Sequence, residues 1–236
     1  MPIKNVIFDL GGVLFDIDYA LPPKAFKDLG VINFDVTNQQ GKQTGLFDQF
    51  ETGKISTEQF CQTLREQLKF EDTNRKITDA EVFSCMNAIL ITFPQDKLDY
   101  ITTIKNKGFN VYLYSNIDPI RYAGFEEICK KLGIENFNGR FVKPYYSHFF
   151  GFRKPHTESF EAVIKDAGID PKDSIFLDDR EDNLKGASEA GLHCYLVDPK
   201  NARSIFGVET VIDNLNFSER VASVSDQRIN PKPLLT

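Results

Sequence analysis

The sequence predicts an α/β fold, a doubly wound parallel sheet interrupted by an α-helical insertion, and three observations predict it. Short runs rich in β-branched and aromatic residues recur between turn signals at residues 6–8, 111–114, 174–177 and 193–197. Such runs suit strands buried on both faces of a parallel sheet. Helical patterns separate these runs in the second half of the chain, as βαβ units require. A long stretch after the first run has helical periods and no strand of this kind.

Taken in order, Val6-Ile7-Phe8 is the first strand and leads directly into Asp9 and the glycine pair Gly11-Gly12. From Tyr19 to Thr92 the chain reads as helices. Ser56 and Gln59 have capping-box spacing before Phe60, Leu64 and Leu68, and Thr78 and Glu81 repeat the device before Val82, Phe83, Met86, Ile89 and Leu90. The Phe and Leu stripes of this insertion read as its own core. Its borders fall near residues 17 and 93, so the expected division is a core of residues 1–16 and 93–213, an insertion of residues 17–92 and a tail of residues 214–236. Leu98, Ile101 and Ile104 share a helix face that ends at Gly108, and Phe160, Val163, Ile164 and Ala167 form another that ends at Gly168. From about Asn214 the pattern weakens, and Pro231 and Pro233 predict an irregular tail.

A chain of 236 residues with 41% hydrophobic content is long enough for one core domain and a smaller satellite. Cys61, Cys85, Cys129 and Cys194 are widely spaced and form no CxxC pair, which predicts reduced thiols rather than a zinc site or a disulfide framework. The first strand begins too early for a signal peptide, and no apolar run approaches bilayer-spanning length, so a soluble, cytoplasmic protein without membrane partners is expected. A net charge of −6 disfavours general nucleic-acid binding. A small phosphorylated ligand stays open, because a few local cations suffice to hold it.

In an open α/β sheet, ligands bind beyond the carboxyl ends of the strands. Polar residues stand at three such ends: Asp9 after Phe8, Ser115-Asn116 after Tyr114, and Asp178-Asp179 after Leu177. Lys154 precedes the next helical pattern in the segment Gly151-Phe152-Arg153-Lys154-Pro155. Singly, each has a plain structural reading: Asp9 as a turn cap, Ser115-Asn116 as a loop, Lys154 as a solvated lysine. Jointly, an acid, a hydroxyl, a cation and an acid pair at successive element boundaries exceed what turn chemistry requires.

These stretches resemble the haloacid dehalogenase superfamily, in the branch with a helical cap after the first strand. The resemblance rests on residues 6–14, on Leu113-Tyr114-Ser115-Asn116, on residues 151–155, and on Phe176-Leu177-Asp178-Asp179 through Asn183; less specifically, Glu51-Thr52-Gly53-Lys54-Ile55-Ser56 is similar to the cap of that branch. It implies a Rossmann-like core and hydrolysis of a small phosphomonoester in two steps, through an aspartyl phosphate on Asp9. It further implies a hard cation, Mg2+, held by Asp9, the main-chain carbonyl of Gly11 and Asp179, with Asp178 beside them as an alternative ligand. Ser115 and Lys154 would hold the transferring phosphoryl oxygens, and Asn116 would orient them. Asp182 and Asn183 are expected to cap the helix beginning near Glu181, with the metal's water shell as the alternative for either.

Position 11 departs from the family, whose phosphatases resemble one another in having an aspartate there that serves as general acid and base. Glycine cannot do this, and such catalysis is worth roughly 100- to 10,000-fold. Three accounts stay open. The substrate could need less help, as a sugar 1-phosphate does; members similar to bacterial glucose-1-phosphate phosphatases share Asp-Leu-Gly at this point and a Gly-X-Arg-Lys-Pro segment. Another group, Asp16, Asp18 or His148, could replace the acid. Or the chain is not a phosphatase: dehalogenases of the superfamily also lack this aspartate and need no metal, and a degenerate binding or regulatory member would need no acid at all. The acid pair Asp178-Asp179 argues for a metal and for phosphoryl chemistry. Tyr19, Phe47 and the segment around Glu51 are candidate substrate contacts from the cap.

Overall fold

The computed structural model describes residues 2–34, 45–198 and 201–229. Its strands are β1 (Asn5–Phe8), β2 (Asp16–Ile17), β3 (Leu90–Thr92), β4 (Asn110–Ser115), β5 (Lys143–Tyr146), β6 (Ser174–Asp178) and β7 (His193–Leu196). Five of them form one parallel sheet in the order β5-β4-β1-β6-β7, and β2 and β3 form a separate antiparallel pair. Every residue of β1 is buried, as expected of a central strand covered on both faces. Alternation along the strands separates the two faces. Val6, Phe8, Val111, Leu113, Ile175 and Leu177 enter one hydrophobic cluster, while Ile7, Tyr112, Tyr114 and Phe176 enter another.

Helices cover both faces, giving a Rossmann-like core. In chain order they are α1 (Leu21–Asp28), α2 (Gly45–Glu51), α3 (Thr57–Gln67), α4 (Asp79–Asn87), α5 (Gln95–Asn106), α6 (Pro119–Lys131), α7 (Ser147–Phe150), α8 (Thr157–Ala167), α9 (Glu181–Glu189) and α10 (Val208–Ile229). Helices α5, α6 and α10 pack Leu98, Ile101, Phe125, Val208 and Ile212 on the first face, and α8 and α9 pack Phe160, Val163 and Ala187 on the second. Helices α1 to α4 make up the helical cap, with a core of their own built on Phe26, Phe50, Phe60, Leu64, Val82 and Met86 and joined to the sheet domain by Ile120 of α6. Both capping boxes form: Ser56 and Gln59 exchange bonds at the start of α3, and Thr78 and Glu81 do so at α4.

Two readings of the sequence are corrected, and one strand had no reading. Ile89 and Leu90 are not part of the α4 stripe; α4 ends at Asn87 and Leu90 opens β3, whose partner is β2, with Asp16 opposite Thr92. The two ends of the inserted segment are thereby tied side by side. Residues 214–229 are not irregular, because α10 runs through to Ile229; Val208, Ile212 and Leu215 at helical spacing pack on the core and hold it. Pro231 and Pro233 lie outside the described residues. Strand β5, Lys143-Pro144-Tyr145-Tyr146, lacked a strand signal because of its proline, which the sheet accepts at an edge where one side needs no donor.

The four cysteines are free, and burial pushes their thiols up to about 11 or 12, so they stay protonated. Among the described residues no helix is long and apolar enough to cross a membrane.

Candidate active site

The register of the sheet brings the candidate residues to one edge. Phe8 lies opposite Leu113 on one side and Leu177 on the other, so the chain leaves β1, β4 and β6 at neighbouring points through Asp9, Ser115 and Asp178. The amide of Asp9 still donates to the carbonyl of Leu177 at 2.9 Å, which fixes the direction of its side chain. Beyond it the chain turns tightly: the amide of Gly12 donates to the Phe15 carbonyl at 2.8 Å, and the amides of Leu14 and Phe15 return to Leu10. Gly12 has φ +79°, and a Cβ there would lie 2.3 Å from Asp179 Oδ2. Only glycine lets this turn approach the acid so closely.

Lys154 is the centre of the cluster. Its ammonium meets Asp9 Oδ1 at 2.8 Å and Asp178 Oδ2 at 2.7 Å, and donates to the Tyr114 carbonyl at 3.1 Å. The Tyr114 and Phe176 rings lie 5.5 and 5.2 Å from it. Although burial opposes its charge, the Asp178 and Asp9 carboxylates raise its pKa and keep it protonated. Asn116 aligns its backbone, accepting from the Lys154 amide and donating to its carbonyl, both at 2.9 Å. With both ends of its amide so engaged, Asn116 positions Lys154 rather than facing the cavity freely.

The two acids of the pair differ. Asp178 is fully buried and saturated: Oδ1 accepts from the Arg180 amide and from Asn183 Nδ2, and Oδ2 from Lys154 and the same Asn183 amide. Asn183 therefore does not cap α9, as its position in the sequence suggested; its amide faces inward to the acid. Asp182 instead pairs with Arg180 at 2.8 Å. Asp179 has a buried Oδ1 with no hydrogen-bond partner.

Carboxylate oxygens of Asp9, Asp178 and Asp179 lie within 4.8 Å of one another. Three carboxylates against one ammonium leave two negative charges uncompensated. The strain appears in the pKa values: burial, opposed by Lys154 and reinforced by the other two acids, pushes Asp9 up to about 7, and burial with Asp178 pushes Asp179 up to about 6. A divalent cation fits this set. It would neutralise the excess and complete the orphaned Asp179 oxygen with the oxygen ligands that Mg2+ prefers.

Asp9, Gly11, Ser115, Asn116 and Lys154 line one cavity of about 110 Å³, at the junction of cap and sheet. Of the cap candidates, Tyr19 and Glu51 line it and Phe47 does not; Phe47 packs on Phe60 inside the cap, ring centroids 5.2 Å apart. None of the three groups weighed as a substitute acid lines it. Asp16 pairs with Lys97 at 2.9 Å, Asp18 accepts from the Ala20 amide, and His148 faces the Ile117 carbonyl at 2.7 Å. A Cβ at Gly11 would meet Ile17 Cδ1 at 3.0 Å, so an isoleucine occupies the direction in which an acid at position 11 would project. Arg121 and Arg180 also line the cavity, as does Arg153, the residue before Lys154. No local pattern marks Arg121, which reaches the site because Asp118 caps the start of α6 and fixes its first turn.

The haloacid dehalogenase-like hydrolase family matches residues 3–191 of the chain. The D-ribitol-5-phosphate phosphatase of Bacteroides thetaiotaomicron is 33% identical over 214 residues, 90% of this chain and 99% of that protein. A sesquiterpene phosphatase of Aspergillus oryzae is 27% identical over 191 residues, 80% of this chain and 87% of that one. Among solved structures, a family enzyme of Bacteroides thetaiotaomicron in complex with magnesium and inorganic phosphate has a TM-score of 0.69 at 33% identity, over 82% of this chain and 93% of that one. A hydrolase of the same type from Porphyromonas gingivalis has a TM-score of 0.72 at 25% identity, over 90% of this chain and 98% of that one.

Proposed function

Because the chain belongs to the haloacid dehalogenase-like hydrolases, we propose that it is a magnesium-dependent phosphatase of a small phosphomonoester, with Asp9 as nucleophile. The observation that carries this reading is the cluster itself: Asp9 and Asp178, both buried and paired with the single ammonium of Lys154, beside a partly buried Asp179, two formal negative charges in excess. Dehalogenation needs no metal and gives no reason to gather three acids. The phosphatase relatives, and the related structure holding magnesium and phosphate, support the same direction.

In this reading Asp9 and Asp179, with the main-chain carbonyl of Gly11, hold the ion, and Asp178 serves Lys154. When bound, the cation offsets the repulsion between the phosphate dianion and the carboxylates. Lys154 and Ser115 hold the phosphoryl oxygens in line with Asp9. A carboxylate oxygen of Asp9 forms a bond to phosphorus as the ester P–O bond breaks, and the leaving oxygen takes a proton from a water molecule enclosed with the substrate. Water then attacks the aspartyl phosphate, releasing inorganic phosphate and restoring Asp9. The cap keeps bulk water away during the first step. With Ile17 where an acid would project, the first step relies on an alcohol that leaves readily or is stabilised by the cap-side residues. The relative that takes D-ribitol 5-phosphate supports a sugar or sugar-alcohol phosphate, and glucose 1-phosphate is a member of the same class with a better leaving group.

The test is a magnesium titration against ribitol 5-phosphate, glucose 1-phosphate, glycerol 3-phosphate and a 2-haloacid. Magnesium-dependent release of phosphate is expected, and Asp9→Asn should reduce it by roughly 10,000-fold or more. Turnover without metal, or of the haloacid above every phosphate, would sink the reading. Binding without turnover across the panel would make the chain a binding protein.

A further inference from the structure

The same cavity holds a second charged cluster, which the phosphoryl chemistry does not use. Glu51, the last residue of α2, meets two arginines of the sheet domain: Arg153 at 2.9 Å through Oε2 and Arg121 at 3.6 Å through Oε1. Arg121 also faces Asp118 at 3.3 Å, and Arg153 faces Asp48 at 3.2 Å. The Arg121, Arg153 and Glu51 side chains are 11, 12 and 8% exposed. Burial of this depth normally comes with every donor paired. Here Nε and Nη2 of Arg121, Nε of Arg153 and Oε2 of Glu51 have no hydrogen-bond partner. The 2.9 Å approach of Arg153 to Glu51 is a charge contact without a directed N–H bond.

Charge decides what this cluster can bind. Two guanidinium groups face three carboxylates, those of Glu51, Asp118 and Asp48. Burial pushes the Glu51 carboxyl upward, and even with Glu51 protonated the balance only reaches zero. A second phosphate or a carboxylate on the substrate would find no surplus of positive charge here. Unpaired N–H donors beside a carboxyl acceptor, neutral or slightly acidic overall, instead match hydroxyl groups, each of which donates and accepts. Ile17, Ile89 and Phe125 line the same cavity and suit the C–H face of such a molecule.

We propose that Arg121, Arg153 and Glu51 recognise adjacent hydroxyls of the leaving group, so that the substrate is the phosphate monoester of a small, uncharged polyol or sugar. The proposal rests on the phosphatase reading and adds to it the residues that select the alcohol. A hydrocarbon alcohol would leave the buried donors unpaired, and sites built around hydroxyls reject analogues that lack them by large factors.

The experiment compares xylitol 5-phosphate with pentyl phosphate, equal in carbon number and without hydroxyls, in the wild-type protein and in Glu51→Gln and Arg121→Met. The wild type should prefer the polyol ester in kcat/KM by roughly 100-fold or more. Each variant should lower that preference by about 10- to 100-fold, chiefly through the KM of the polyol ester. Arg121→Lys, which keeps the charge and loses the planar fork, serves where Arg121→Met does not fold, and should lower the preference in the same direction. A wild type that favours pentyl phosphate, or variants that lose both esters equally, would overturn the proposal and leave the cluster as a clasp between cap and sheet. If neither ester is hydrolysed, nor any phosphate of the panel above, the phosphatase reading fails. Calorimetric binding of the two esters then decides this proposal alone, equal affinity overturning it.

Discussion

The two ends of the cavity are built in opposite ways. At the sheet end, Lys154 and Asp178 are nearly or completely buried and every polar atom they carry is engaged, by Asp9, Tyr114, Asn183 and Arg180. At the cap end, Arg121, Arg153 and Glu51 are almost as deeply buried, yet four of their polar atoms have no hydrogen-bond partner. The sheet end is preorganised: short connections hold each group, and what stays unbalanced is the charge and the orphaned Asp179 oxygen, which a divalent ion would complete. The cap end holds long side chains from two domains whose directed bonds are incomplete. A site that performs one reaction on many possible alcohols is served by this division, with fixed groups for the phosphate and unsatisfied groups for what differs among substrates.

The largest expected effect breaks the sheet end. Lys154→Met removes a phosphoryl clamp and leaves Asp178 buried without its cation, so activity should fall by about 100- to 1,000-fold and urea unfolding should show a loss of about 3–5 kcal/mol. A loss well under 1 kcal/mol would contradict the description of this end as saturated. A smaller effect sharpens the boundary between the ends. Gly11→Asp combined with Ile17→Ala provides an acid and the space for it, and should raise turnover of poor alkyl leaving groups by about 10-fold or more, with less effect on sugar 1-phosphates. Equal gains on both would show that leaving-group quality does not explain glycine at position 11.

The smallest effect is in pH. Asp9, at about 7, and Asp179, at about 6, both lie above the usual carboxylate value. They face Lys154 and Asp178, and their charges also reach Tyr19. Between that usual value and about 7, the metal-free native state binds more protons than the unfolded chain, so stability falls as pH rises. Melting of the metal-free protein should drop by a few degrees between about pH 5 and pH 8, at roughly 2–4 °C per kcal/mol for a chain of this size. Magnesium or Asp9→Asn should flatten the slope. A slope indifferent to both would place the pH response elsewhere in the molecule.

Much of the sheet end was readable from the chain, because Asp9, Ser115 and the Asp178-Asp179 pair stand at the ends of short apolar strands and Lys154 directly precedes a helical pattern. The parallel register then brings Asp9, Ser115 and Asp178 together. Capping boxes were readable for the same local reason. Strand β5 was not: Pro144 disfavours a strand, and only its place at the sheet edge makes it acceptable. Asn183 has the composition of a cap residue, and its inward turn to Asp178 depends on how α9 docks on β6.

By itself, the sequence determined the α/β pattern, the helical insertion and the identity of the acids at the strand ends and of the lysine before α8, since periodicity and the chemistry of element boundaries are local properties. Tertiary structure alone decided that Asp178 is saturated while Asp179 keeps an orphaned oxygen. It also decided that Ile17 lies where an acid at position 11 would point, and that Glu51 of the cap meets Arg121 and Arg153 across the cavity. The contacts of Glu51 join residues separated by tens of positions and carried on long side chains. Their partners follow from how cap and sheet pack, and no spacing along the chain encodes that.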